Sequence, residues 1–153
     1  MASSPNSISI NLAAQQLTLL GANGETLLQF PISSGAAGIG FEENSGKTPT
    51  GRFVVCSTHG ENAPLNTWFI GRLPRGTWPA PQAPEDAILS RILCLDGLDE
   101  ANANTRARFI YIHGTPHTAT LGTPVSHGCI RLAPAAMAQL FELSPIGTLV
   151  EIH

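Results

Sequence analysis

Lysine is almost missing from this chain: Lys47 is the only one, and no basic side chain of any kind precedes it. A secretory signal peptide needs a positive start and then an apolar run of about 7–15 residues. Residues 1–20, MASSPNSISINLAAQQLTLL, hold neither. The expectation is a cytoplasmic protein, with a periplasmic or cell-wall location as the alternative if a leader has been removed. Long apolar runs are missing too. No stretch approaches the roughly 20 residues that cross a bilayer, so no membrane partner is expected. Positive charge is in deficit: 8 Lys and Arg stand against 11 Asp and Glu. A net charge of −3 lacks the basic footprint that a nucleic-acid partner requires. Cysteine is scarce and odd in number. Cys56, Cys94 and Cys129 have no close spacing and do not make a disulfide framework. Cys56 in FVVCS and Cys94 in RILCLDG read as small core residues. Internal repeats, low-complexity tracts and any marked domain boundary are absent as well.

What is present suits one domain spanning residues 1–153. With 42% apolar residues the chain can bury a sizeable core without disulfides or metals. Residues 7–20 alternate loosely, with Ile8, Ile10 and Leu12 on one face, then Leu17, Leu19 and Leu20. A turn signal at 22–25 and a strand at 26–32 complete an expected N-terminal β-hairpin. Residues 33–41, SSGAAGIGF, resemble a phosphate loop superficially, but no GKS or GKT ending and no helical pattern follow. They read as a glycine-rich turn between strands. KTPTGRF at 47–53 is a turn into a strand at 53–57, and 66–72 suggests another strand. Residues 74–87, PRGTWPAPQAPEDA, carry four prolines and two acids, too broken for regular structure. They are expected to form a surface loop or a lid. Residues 88–95 fit a short helix or a strand, 96–108 a polar loop, and 109–112 a buried strand. Residues 134–143 predict a helix with proline in the first turn, and 148–152 a closing strand. The fold class is mostly β, a mixed barrel or sandwich with one or two short helices.

The chemistry gathers in residues 109–132, FIYIHGTPHTATLGTPVSHGCIRL. A cysteine nucleophile needs an imidazole to take its proton, main-chain N–H groups for an oxyanion, and a fixed charge to orient substrate. Cys129 follows Gly128, which leaves room for an oxygen beside the N–H groups of Gly128 and Cys129. His113 lies sixteen residues earlier, at the end of a strand. A tight return through Gly122 and Pro124 would bring its ring to the sulfur. An inert buried thiol is the competing reading. Arg131, between Ile130 and Leu132, is expected to turn toward the site and grip a carboxylate. Ser126 is a turn residue or a supporting donor. His113 and His117 form an HxxxH pair near His127 and Cys129, but Gly114-Thr115-Pro116 breaks the helix that zinc binding through such a pair needs. No metal or cofactor is expected.

HGT, then SHGCIRL eleven residues after HG, resembles the signature of the L,D-transpeptidase catalytic domain, often called the YkuD domain. QQLTLL, PISSG, TPTGRF and GTLVEI fit the same resemblance, which covers about residues 7–152. It implies a β-rich fold and a cysteine acyl-enzyme formed on a peptidoglycan stem tetrapeptide. The bond concerned joins meso-diaminopimelate to the terminal D-Ala. By motif match Cys129 is the nucleophile and His113 the base, with a main-chain carbonyl orienting the imidazole. The oxyanion donors are main-chain N–H groups around His127, Gly128 and Cys129. Arg131, Ser126, Gly114 and Thr115 are expected on the substrate side. Usual members carry a leader, an anchor or a wall-binding module; a cytosolic one would meet soluble muropeptides and use water as acceptor. The expectation is therefore an L,D-carboxypeptidase of murein recycling that converts tetrapeptide to tripeptide and D-Ala. The alternatives are an extracytoplasmic L,D-transpeptidase forming 3–3 crosslinks and a catalytically silent muropeptide-binding module.

Overall fold

The computed structural model of the chain describes residues 5–153. Its start is organised by period-two alternation, which sends successive side chains to opposite faces of a strand. In Ser7–Asn11 (β1) Ile8 and Ile10 are buried, and in Gln16–Leu20 (β2) Leu17 and Leu19 repeat the pattern. The expected single stretch of 7–20 is split by a tight turn. There the Asn11 side-chain oxygen accepts the Ala14 N–H at 3.0 Å and Gln15 takes a φ of 51°. Thr26–Pro31 (β3) pairs with β2, so the N-terminal hairpin is a three-stranded meander.

Gly51–His59 (β4), Thr67–Ile70 (β5), Leu73–Thr77 (β6), Ile88–Gly97 (β7), Tyr111–Gly114 (β8) and Ile130–Leu132 (β9) follow. Pro134–Glu142 (α1) and Leu149–Ile152 (β10) close the chain, and Thr118–Thr120 forms a 3-10 turn. Among the described residues ten strands make one mixed sheet in the order β3-β2-β1-β10-β4-β7-β5-β6, with β8 on β7 and β9 on β8. The pairs β1·β10 and β8·β9 are parallel. The mostly-β expectation with one or two short helices holds.

β7 is the hub, pairing with β4, β5 and β8. Neighbours on both edges and both faces bury it without a break from Leu89 to Leu95. A strand enclosed in this way shows no alternation, which is why its apolar run is ambiguous in sequence. The proline-rich stretch is not wholly irregular. Its first residues form β6, the outermost strand, where Pro74 removes no N–H that the sheet needs. β8 starts at Tyr111 rather than at 109 because Phe109 has a φ of 58°, which no strand accommodates.

The main core joins Ile8, Leu17, Phe53, Leu93, Ile112 and Ile130 to Met137 and Leu140 of α1, which lies over β7 and β8. Ala133 gives α1 no side-chain cap; Pro134 opens the helix and its buried face holds it. A second cluster, Phe69, Ile92, Cys94 and Tyr111, lies against Cys56 and Cys129.

Candidate active site

The alternation of two short parallel strands assembles the site. On β8 and the residue before it, Ile110 and Ile112 enter the main core. On β9 Ile130 and Leu132 do the same. The register sets Ile112 beside Ile130 and His113 beside Arg131. Tyr111, His113, Cys129 and Arg131 therefore share the opposite face. Cys129, one position before β9, lies against Tyr111 and so diagonally across the strand pair from His113.

Cys129 is half-buried and its thiol is free. Its sulfur accepts the Tyr111 N–H at 3.3 Å and donates to the Phe109 carbonyl at 3.4 Å. Burial pushes the thiol up to about 11, against the pull of the Tyr111 N–H and the Arg131 charge. His113 is 4% exposed, and burial pushes its imidazole down to about 4. Its Nδ1 lies 2.7 Å from the Gly114 carbonyl, which can only accept, so Nδ1 carries the proton and Nε2 keeps its lone pair. No hydrogen bond joins the sulfur to the ring. At neutral pH the site holds a thiol and a neutral imidazole on one face.

The turn before β9 is held from behind by the glycine-rich segment that sequence reading leaves as a plain connection. Ser126 N–H donates to the Ser34 carbonyl and Ala36 N–H to the Ser126 carbonyl, each at 2.9 Å. Ser33 and Arg131 exchange main-chain hydrogen bonds at 3.1 and 2.9 Å. Ser126 is buried. Its hydroxyl donates to the Cys129 carbonyl at 2.6 Å and accepts the Gly128 N–H at 3.1 Å. Both bonds stay within the turn, which the hydroxyl shapes. Thr115 is likewise buried, with its hydroxyl accepting the His117 N–H at 3.1 Å. Gly114 lies under β7, where a Cβ would stand 2.6 Å from the Leu89 carbonyl oxygen.

A cleft of about 480 Å³ opens beside this face, lined by Glu85, Asp86, His117, Thr120, Val125, His127 and Arg131. One wall is the end of the proline-rich segment, clasped at two points. His117 Nε2 donates to the Glu85 carbonyl, and His127 Nδ1 lies 3.0 Å from the Asp86 carboxylate. Sequence marked the segment as a loop or lid but singled out neither Glu85 nor Asp86. The three imidazoles thus take separate partners, and among the described residues no three His, Cys, Asp or Glu side chains gather as a metal-binding group. Arg131 is 7% exposed, lines the cleft, and its guanidinium has no hydrogen-bond or ion-pair partner among the described residues. Its nitrogens are not among the sealed, unpartnered polar atoms, so the charge is presented to the cleft, where a bound anion can reach it. Arg108, another cation near the cysteine, is engaged elsewhere: it donates to the Gly40 and Lys47 carbonyls and to Ser45.

Residues 5–152 match the sequence profile of the L,D-transpeptidase catalytic domain, YkuD. No curated protein sequence matches the chain. Among solved structures, an L,D-transpeptidase from Mycobacterium smegmatis superposes with a TM-score of 0.65 at 18% identity, over 98% of this chain and 59% of that one. An L,D-transpeptidase from Xylanimonas cellulosilytica gives 0.65 at 23% identity, over 99% and 62%. L,D-transpeptidase 3 from Mycobacterium tuberculosis, solved with a faropenem-derived adduct, gives 0.64 at 16% identity, over 97% and 60%. This chain spans about three fifths of the length of these solved proteins. The likeness in fold and the profile match over nearly every residue lead to one conclusion: the chain belongs to the L,D-transpeptidase catalytic domain family.

Proposed function

We propose that the protein is an L,D-carboxypeptidase that removes the terminal D-Ala from the stem tetrapeptide of soluble muropeptides through a Cys129 acyl-enzyme. The observation that carries this reading is Arg131: an unpartnered cation lining the cleft, on the face of the nucleophile and two residues away from it. An enzyme that cleaves the last peptide bond must hold a carboxylate beside the bond it breaks, and a guanidinium does so in bidentate fashion.

In this reading the thiol swings from the Phe109 carbonyl toward His113, whose Nε2 takes its proton as sulfur attacks the diaminopimelate carbonyl carbon. A thiol near 11 and an imidazole near 4 keep the proton on sulfur at rest, so transfer accompanies formation of the C–S bond. Negative charge on the former carbonyl oxygen falls to the main-chain N–H of Cys129. The tetrahedral intermediate collapses, the C–N bond breaks, and His113 returns the proton to the departing D-Ala amine. Water, deprotonated by the same nitrogen, attacks the thioester and frees the tripeptide and the thiol.

Crosslinking would use the same acyl-enzyme with an amine as acceptor. The clasped wall of residues 78–87 favours a single free peptide over polymer. Incubation with a disaccharide tetrapeptide separates the two: released D-Ala without dimers supports hydrolysis, and 3–3 dimers would reassign the acceptor. Binding without turnover would point instead to a muropeptide-binding module. The proposal sets the reaction in the cytoplasm, and recovery of the native protein from the periplasmic or wall fraction would overturn that part of it.

A further inference from the structure

Behind the cysteine turn, the backbones at Gly35 and Gly128 converge on one buried hydroxyl. Thr48 is 1% exposed, and its Oγ1 accepts the Gly35 N–H at 2.8 Å and donates to the Gly128 carbonyl at 2.9 Å. Its own backbone is pinned as well: Thr48 N–H donates to Gly38 at 2.9 Å, and Gly40 N–H to the Thr48 carbonyl at 3.1 Å. The approach is close enough to require glycine. A Cβ on Gly35 would stand 2.6 Å from the Gly46 carbonyl oxygen and 3.0 Å from Thr48 Oγ1. Gly128 has a φ of 125°, which side chains do not tolerate.

We infer that Thr48 is a positioning residue that aims the main-chain N–H of Cys129 at the oxyanion formed during acyl transfer. The Gly128 carbonyl and the Cys129 N–H belong to one planar trans peptide and point in opposite directions. Fixing that oxygen on Thr48 turns the Cys129 N–H the other way, away from Thr48. It has no acceptor among the described residues, whereas the Gly128 N–H is already donated to Ser126. Of the main-chain donors that the motif implies, the Cys129 N–H is therefore the one whose direction is set by a side chain eighty residues away in sequence. An oxyanion donor is effective only when oriented before reaction, and losing one typically slows acyl transfer by about 10²–10³-fold. The inference rests on Cys129 being the acylated residue.

The test compares wild type, Thr48→Val, Thr48→Ala and Thr48→Ser in the full chain. D-Ala release from a disaccharide tetrapeptide is read alongside alkylation of Cys129 by iodoacetamide, which displaces iodide and develops no oxyanion. For Thr48→Val, kcat should fall by about 10²-fold or more with KM and alkylation rate within about threefold of wild type. Thr48→Ser, which keeps the hydroxyl, should recover most of the loss. Thr48→Ala serves if valine does not fold. Valine or alanine variants retaining wild-type kcat would overturn the role of Thr48 alone. So would parallel loss of alkylation, which would mark a general structural part. A wild type that alkylates but releases no D-Ala would overturn the proposed function and this inference with it.

Discussion

At the scale of single residues the central fact is that neither Cys129 nor His113 is charged at rest. Burial holds the imidazole near 4, below its ordinary value of 6.5. Because kcat/KM reports the free enzyme's essential base, its acid limb should fall near pH 4 to 5, with activity level from there through neutrality. A limb near 6.5 would show that the base is another group. The same shift makes stability depend on pH. Between 6.5 and about 4 the unfolded chain binds a proton at this position that the folded protein refuses. The contribution, roughly 3 kcal/mol, is thus present above pH 6.5 and lost as pH falls toward 4. Urea unfolding of wild type and His113→Asn over that range should show the steeper acid loss in wild type; equal slopes would contradict it. Cys129→Ala should abolish D-Ala release and leave the fold intact by circular dichroism, while His113→Ala should slow release by about 10²–10⁴-fold. The motif was enough to nominate both residues. Their protonation was not, because it depends on what is packed around them.

At the scale of elements, the turn between β8 and β9 is shaped by contacts with segments far away in sequence. The glycine-rich stretch 33–41 reads as a connection, correctly so far as its own backbone goes; its role as a brace appears only in its hydrogen bonds to Ser126 and Arg131. Gly114 shows the converse. Its place in the HG pair suggests a substrate contact, and the structure adds a packing role that the motif did not show, beside the β7 irregularity where Ser90 has a φ of 73°. Gly114→Ala should destabilise the protein by about 1–3 kcal/mol in chemical unfolding, since the added Cβ meets backbone that cannot move aside. A neutral result would mean that β7 and β8 can separate there. The clasp between His127 and Asp86 joins two exposed side chains and carries little stability. Asp86→Asn should leave the midpoint of unfolding almost unchanged while amide exchange in residues 78–87 quickens. Unaltered exchange would show that the His117 contact with Glu85 suffices.

For the whole molecule, β7 is the strand on which the sheet depends, with β4, β5 and β8 on its edges and α1 across its face. Leu93 is fully buried at its middle. Leu93→Ala should lower stability by about 2–5 kcal/mol in one cooperative transition, because it opens a cavity within the main core. Separate loss of the N-terminal meander would show two independent units. Strand alternation in β1 and β2, the helix opened by Pro134 and the chemistry class of the HG and SHGCIRL motifs follow from residues within a few positions of one another, so the linear order of the chain was enough to state them. Helix or strand at 88–95, the edge strand inside a proline-rich run, the unpartnered guanidinium of Arg131 and the bond from Thr48 to the Gly128 carbonyl did not follow. Each depends on partners tens of residues away, and the free energy of burying a charge or turning a peptide belongs to the assembled packing, which no local pattern encodes.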